Sequence, residues 1–245
     1  LERPPSRPVG CTDDGAGDVV YLALKNPRFG ERGTGYDLDG YCSGAEGTPN
    51  GCTPNADYAP PDTTGGVDNI FGTSILEGLR LIDGTLEERA VATQEAGKLN
   101  VMLAIRGWNG ETRDPQVEVV MATSSATRPS PPAWDGADVF APAASFYEAG
   151  DPDRPLVRDD NAYVADGILV AELPDRIPLG FDTGVQRIEL RLAQARLTLP
   201  LLGPDAFTDV VLSGRWPQTE ARAAAPLLGL CADSTDPLIL AQRDA

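Results

Sequence analysis

The chain has 245 residues, of which 41% are hydrophobic and 23% charged, a composition that supports a packed core and excludes a disordered chain. Its 37 acidic residues against 20 basic ones give a formal net charge of -17 and a pI near 4.3, a balance that disfavours nucleic acid and anionic membranes and favours divalent cations or cationic partners. There is no histidine, which removes the commonest general base, the usual zinc ligand and the ordinary side-chain switch at roughly pH 5 to 8.

The chain opens on Leu1 and the proline-rich stretch Glu2 to Pro8, which reads as the product of a cleaved secretory signal. With almost no apolar side chains, that stretch has little means of docking on its own chain. Its Arg3 and Arg7 suit the acidic surface of a neighbouring copy, and such a head-to-tail contact builds rings or open fibres, a tail pinned through Cys11 being the alternative. Residues 1–66 are rich in Gly, Pro, Asp and Asn and read as an irregular region with one strand-like run, Val19 to Leu24. Cys42 and Cys52 bracket a segment that could not hold its shape through a core, so they are expected to pair. Cys11 and Cys231 then form a second disulfide between the two ends of the chain, free thiols in a cytosolic protein being the alternative.

Within this region Asp37-Leu38-Asp39-Gly40 places two carboxylates two residues apart before a glycine, a pattern that can wrap oxygen ligands around calcium. On a twelve-residue EF-hand register Glu46 falls at position twelve, but position one is Gly35 and the flanks lack helical periodicity. Asp68 and Asn69 could complete a calcium site made with Asp37, Asp39 and Glu46, the competing reading being an acidic turn.

Residues 67–245 read as a β-rich domain forming one structural unit with the N-terminal region. Asp68 can cap a helix carrying Phe71, Ile75, Leu79 and Ile82. Thr85 and Glu88 make a capping box for a second helix ended by Gly97. From Lys98 the period becomes two, through Leu99, Val101, Leu103 and Ile105. A turn at Asn109-Gly110 returns the chain to Val117–Met121 as a hairpin. Ser124 to Pro132 reads as a surface loop, and the segment from Trp134 to about Asn161 as a longer one. Asp166-Gly167 signals a hairpin between Tyr163-Val164 and Ile168–Val170. The alternation then changes phase between Ile188 and Leu199, predicting a bulge near Ala193-Gln194. A last strand, Val210 to Trp216, precedes a short helix between Pro217 and Pro226. The whole reads as mainly β: an antiparallel β-sandwich or jelly-roll-like domain with a few short helices and a disulfide-stapled irregular N-terminal region. The longest apolar runs fall far short of the roughly 20 residues that span a bilayer as a helix, so no membrane insertion is expected.

The string Gly35-Tyr36-Asp37-Leu38-Asp39-Gly40, a cysteine-bounded loop and then Gly66-Val67-Asp68-Asn69 before a hydrophobic helix resembles an uncharacterised family of secreted proteins from myxobacterial-type bacteria. The likeness continues through Arg106 to Gly110, Ala162-Tyr163-Val164 and Gly214-Arg215-Trp216. It implies secretion and a β-rich fold, and brings no catalytic residue.

The expected function is therefore that of a secreted, non-catalytic surface or matrix protein acting by binding or self-assembly, with a calcium-stabilised N-terminal region. Its partners would be other copies of itself, or glycans and cell-surface components. A lectin-like module is the alternative, with Trp108 and Trp134 beside turns as sugar platforms and Trp216 as a core residue. Less favoured is a glycoside-active enzyme using Glu111 with Asp135 or Asp138.

Overall fold

The computed structural model describes residues 3–10, 17–31, 33–38, 67, 69, 71–175, 177–182, 187–203, 206–224 and 226. Among these, strands β1 (Val20–Ala23), β2 (Val101–Arg106), β3 (Asp114–Arg128), β4 (Val139–Pro142), β5 (Arg158–Ala165), β6 (Ile168–Glu172), β7 (Ile177–Asp182), β8 (Arg187–Pro200) and β9 (Val211–Arg215) form a 9-stranded sheet. Three α-helices accompany it: α1 (Leu76–Ile82), α2 (Leu86–Glu95) and α3 (Gln218–Ala224). Every strand pairing is antiparallel, in the order β1-β2-β3-β5-β6-β8-β7, with β4 added to β3 and β9 to β8. The mainly β, antiparallel expectation holds.

Local chemistry explains the turns and bends. Asp166 and Gly167 both take positive φ, 52° and 79°, the paired left-handed geometry of a two-residue hairpin turn, and join β5 to β6. In β8 the register against β9 shifts between Ala193 and Arg196 and Gln194 has φ 51°, so the expected bulge is present. It divides the long strand, whose first part pairs with β7 and whose second pairs with β6. Asp114, fully buried, ties down the turn before β3 by accepting from the backbone N–H groups of Asn109 at 2.9 Å and Gln116 at 3.1 Å.

Alternation puts Leu103, Ile105, Val117, Val119, Met121, Ala162, Val164, Leu169, Ala171, Leu197 and Leu199 into one apolar cluster, completed by Phe146 and Ile177. Each fully buried Leu, Ile or Val contributes about 1.5–3 kcal/mol by leaving water. A smaller cluster gathers Leu79 and Leu86 with Phe29, Phe71, Ile75, Leu190 and Trp216, and seats the helices beside the sheet.

Several sequence expectations are corrected. Ser124 to Arg128 is strand, not surface loop: it extends β3 to pair with β4, and Ser124 and Thr127 are buried. Their small side chains suit a covered strand, whereas Ser/Thr/Pro composition alone reads as loop. The segment from Trp134 to Asn161 likewise contains β4, two short 3-10 turns and the start of β5. β2 begins at Val101 because Leu99 has φ 57° and Asn100 turns its amide inward. That amide donates to Leu24 O at 2.9 Å and Gln94 O at 3.0 Å. Thr85 forms no side-chain cap with α2; its hydroxyl donates instead to Asp83 Oδ1 at 2.9 Å. The first helix opens with a π-helical turn, Phe71–Ile75, at which Asn69 Oδ1 accepts from Gly72 N–H at 2.8 Å. Asp68 lies outside the described residues.

Candidate functional site

The proline-rich arm, residues 3–8, docks on its own chain, contrary to the sequence expectation. Proline fixes φ near -65°, so Pro4, Pro5 and Pro8 leave a stiff, extended segment with little entropy to lose on docking. Polar anchors hold it where apolar ones are scarce. Arg3 donates from Nε and Nη2 to Asp37 Oδ2 at 3.2 and 3.0 Å, and the Asp37 side chain is fully buried. Arg7 donates to the carbonyls of Pro115 and Asn161 and lies over the Tyr163 ring, 4.6 Å from its centroid. The Tyr163 hydroxyl donates to Pro5 O at 2.7 Å, and Pro8 is buried.

The receiving surface follows from strand alternation. On β5, Ala162 and Val164 point into the core, so Tyr163 between them faces outward. Beside it an open pocket of about 220 Å³ is lined by Arg7, Asp159, Asn161, Tyr163, Val170 and Glu172. Asp159 accepts from the Glu172 backbone N–H at 2.7 Å, and Glu172 pairs with Arg196 at 2.7 Å. Glu118 on β3 meets Arg106 of β2 and Arg158 of β5, the latter at 3.0 Å. Alternating charges thus cross the sheet, and opposite-sign cross-strand pairs support its register. Burial pushes the Tyr163 phenol above its ordinary pKa, opposed by Arg196 and Arg7 and assisted by Glu172. Burial raises Tyr147 likewise, with Arg106 acting against it.

The residues singled out in the sequence are scattered. Asp37 is occupied by Arg3, and Asn69 Nδ2 donates to Gly30, Glu31 and Thr34 carbonyls, each at 3.0 Å. Asp39, Glu46 and Asp68, with Cys11, Cys42, Cys52 and Cys231, lie outside the described residues. Among the described residues no group of three or more acidic or cysteine side chains is placed to hold a metal ion. Trp108 packs partly buried on the main core and donates to Glu111 O at 3.0 Å. Trp134 donates to Glu95 O at 3.2 Å, with Lys25 over its ring and Phe140 tilted against it at 5.3 Å. Trp216 joins the smaller cluster, consistent with a core role. Asp138 accepts from the backbone N–H groups of Ala133 and Trp134, and Asp135 from that of Ala137, so both shape a loop. The Glu111 backbone N–H donates to Asn109 Oδ1, and its side chain is exposed.

Tyr163, Asn161 and Pro115 were not read as site residues from the sequence. The usable signal was an arginine set between prolines, which needs acceptors and an aromatic face. No helix among the described residues is long and apolar enough to cross a membrane. Comparison of the chain with protein-family models, with curated proteins and with solved structures returned no match.

Proposed function

We propose that this is a secreted, non-catalytic surface or matrix protein that acts by binding and self-assembly, in keeping with its resemblance to secreted bacterial proteins of the myxobacterial type. The observation that carries the proposal is the arm: a proline-rich, doubly cationic segment held on a sheet surface by backbone carbonyls, an aromatic ring and a buried carboxylate. Those are the means by which extended proline-rich peptides are bound. The large apolar cluster, which draws on β2, β3, β5, β6, β7 and β8, supports a sheet folded over on itself as a sandwich or jelly roll. The pairs Cys42–Cys52 and Cys11–Cys231 staple the N-terminal region and fit an oxidising compartment.

Calcium is proposed as the stabiliser of the region around Asp37, Asp39, Glu46, Asp68 and Asn69. Since Arg3 already neutralises Asp37, calcium and Arg3 compete for one carboxylate. The rise in melting temperature on adding calcium should therefore be larger in Arg3→Ala than in the unaltered protein. Melting curves indifferent to calcium and chelator in both proteins would remove calcium from the function. The assembly proposal is tested by light scattering and electron microscopy of the purified protein with calcium present. Rings or fibres are expected, and a monomer at every concentration would refute it.

A further inference from the structure

We infer that the surface around Tyr163 is a receptor for the arm of a second copy, so that copies join by exchanging residues 3–8. This rests on the assembly proposal and names its contact. The contacts that hold the arm run from arm residues to distant parts of the chain: Arg3 to Asp37, Arg7 to Pro115, Asn161 and Tyr163, and Pro5 to Tyr163. A contact set of this kind is satisfied equally by an arm arriving from another molecule, since exchange of an identical element re-forms the same bonds. Charge favours the encounter, because the arm carries Arg3 and Arg7 while the chain as a whole is at -17.

The exchange is held in check by tethering. A segment joined to its receptor by a short linker sees it at an effective concentration on the order of 1 mM, so the arm docks at home unless copies are crowded or fixed on a surface. Exposed polar anchors suit such an exchange. Arg3 is 51% exposed in its pair with Asp37, and Val9, just beyond the docked stretch, is 90% exposed. Of residues 3–8 Pro8 alone is buried, so little apolar surface has to be re-exposed when the arm leaves.

The test separates arm from receptor in the full-length chain. One variant, Arg3→Ala with Arg7→Ala, keeps the receptor and disables the arm. The other, Tyr163→Ala with Asp37→Asn, keeps the arm and disables the receptor. Neither can close on itself, so sedimentation velocity should show each alone as a monomer and their equimolar mixture as a one-to-one dimer that dissociates in high salt. A mixture that sediments as two monomers overturns the exchange.

Circular dichroism establishes that both variants are folded. Should the receptor variant not fold, a synthetic peptide of residues 1–9 is titrated into the arm variant instead. Saturable binding supports the inference, and no binding at millimolar peptide overturns it. If the unaltered protein assembles while the mixture stays monomeric, assembly uses another contact and only the exchange fails. If the mixture dimerises while the unaltered protein stays monomeric throughout, the receptor stands and the assembly proposal fails.

Discussion

Tyr163 joins three interactions on one side chain: its hydroxyl holds Pro5 O, its ring lies under Arg7, and its backbone pairs β5 with β6 opposite Val170. Its phenol is raised above the ordinary value of 10.0, first by burial. Because the folded pKa lies above the unfolded one, the native state keeps its proton where the unfolded chain has lost it. The stabilisation is complete below the unfolded value and is lost as pH rises through the folded one. Ultraviolet titration of Tyr163→Phe should remove a late-ionising phenol, and stability should fall less steeply in alkali than in the unaltered protein. An unchanged alkaline titration would mean that Tyr163 is not held as described. Arg3 offers a second check at this scale. Its two charge-assisted hydrogen bonds to the buried Asp37 carboxylate lead us to expect that Arg3→Ala lowers stability by about 1–2 kcal/mol, measured by urea denaturation. The half-exposed guanidinium keeps the figure below that of a fully buried pair.

Among the elements, the junction of α2, β2 and β3 is closely constrained. Gly97 ends the helix at φ 77°, and a Cβ there would come within 2.4 Å of Thr127 Cγ2 and 2.6 Å of its Oγ1. Gly97→Ala combines a left-handed backbone with a clash against a buried strand, and should cost about 2–4 kcal/mol in thermal or urea unfolding. The neighbouring Asn100 is fully buried, and Ser124 Oγ donates toward Gly97 O at 3.1 Å while accepting from Asn100 N–H at 3.0 Å. Asn100→Ala removes the side-chain donor to Leu24 O and one donor to Gln94 O, which keeps the Gly97 N–H, and should cost about 2 kcal/mol, whereas replacing an exposed residue such as Glu111 should change little.

Much of this level was legible in the sequence. The β5–β6 hairpin, the β8 bulge and the helix stop at Gly97 each follow from a short-range backbone requirement that one or two residues announce. The extension of β3 through Ser124 to Arg128 was not legible, because its strand state depends on pairing with β4, a strand of 4 residues too short to announce itself by alternation. The same holds for the arm. Its composition gives no apolar reason to dock, and its receptor exists only once β3 and β5 are paired and bring Pro115 and Asn161 together.

At the scale of the whole molecule, an antiparallel sheet with one large apolar cluster carries a docked cationic arm on an acidic body. Among the described residues the sheet path ends at β1 and β7; such ends are ordinarily managed by short strands and charge, and β1 is only 4 residues long. Assembly through the arm is therefore expected to be ionic, weakened by salt, and steeply dependent on concentration because it competes with docking at home. The measurement that bears most directly on this is sedimentation velocity of the unaltered protein from micromolar to near-millimolar concentration, beside the Arg3→Ala, Arg7→Ala variant. We expect the unaltered protein to shift to larger species as concentration rises, and the variant to remain a monomer throughout. Identical sedimentation of the two proteins across the whole range would contradict a binding function that works through the arm.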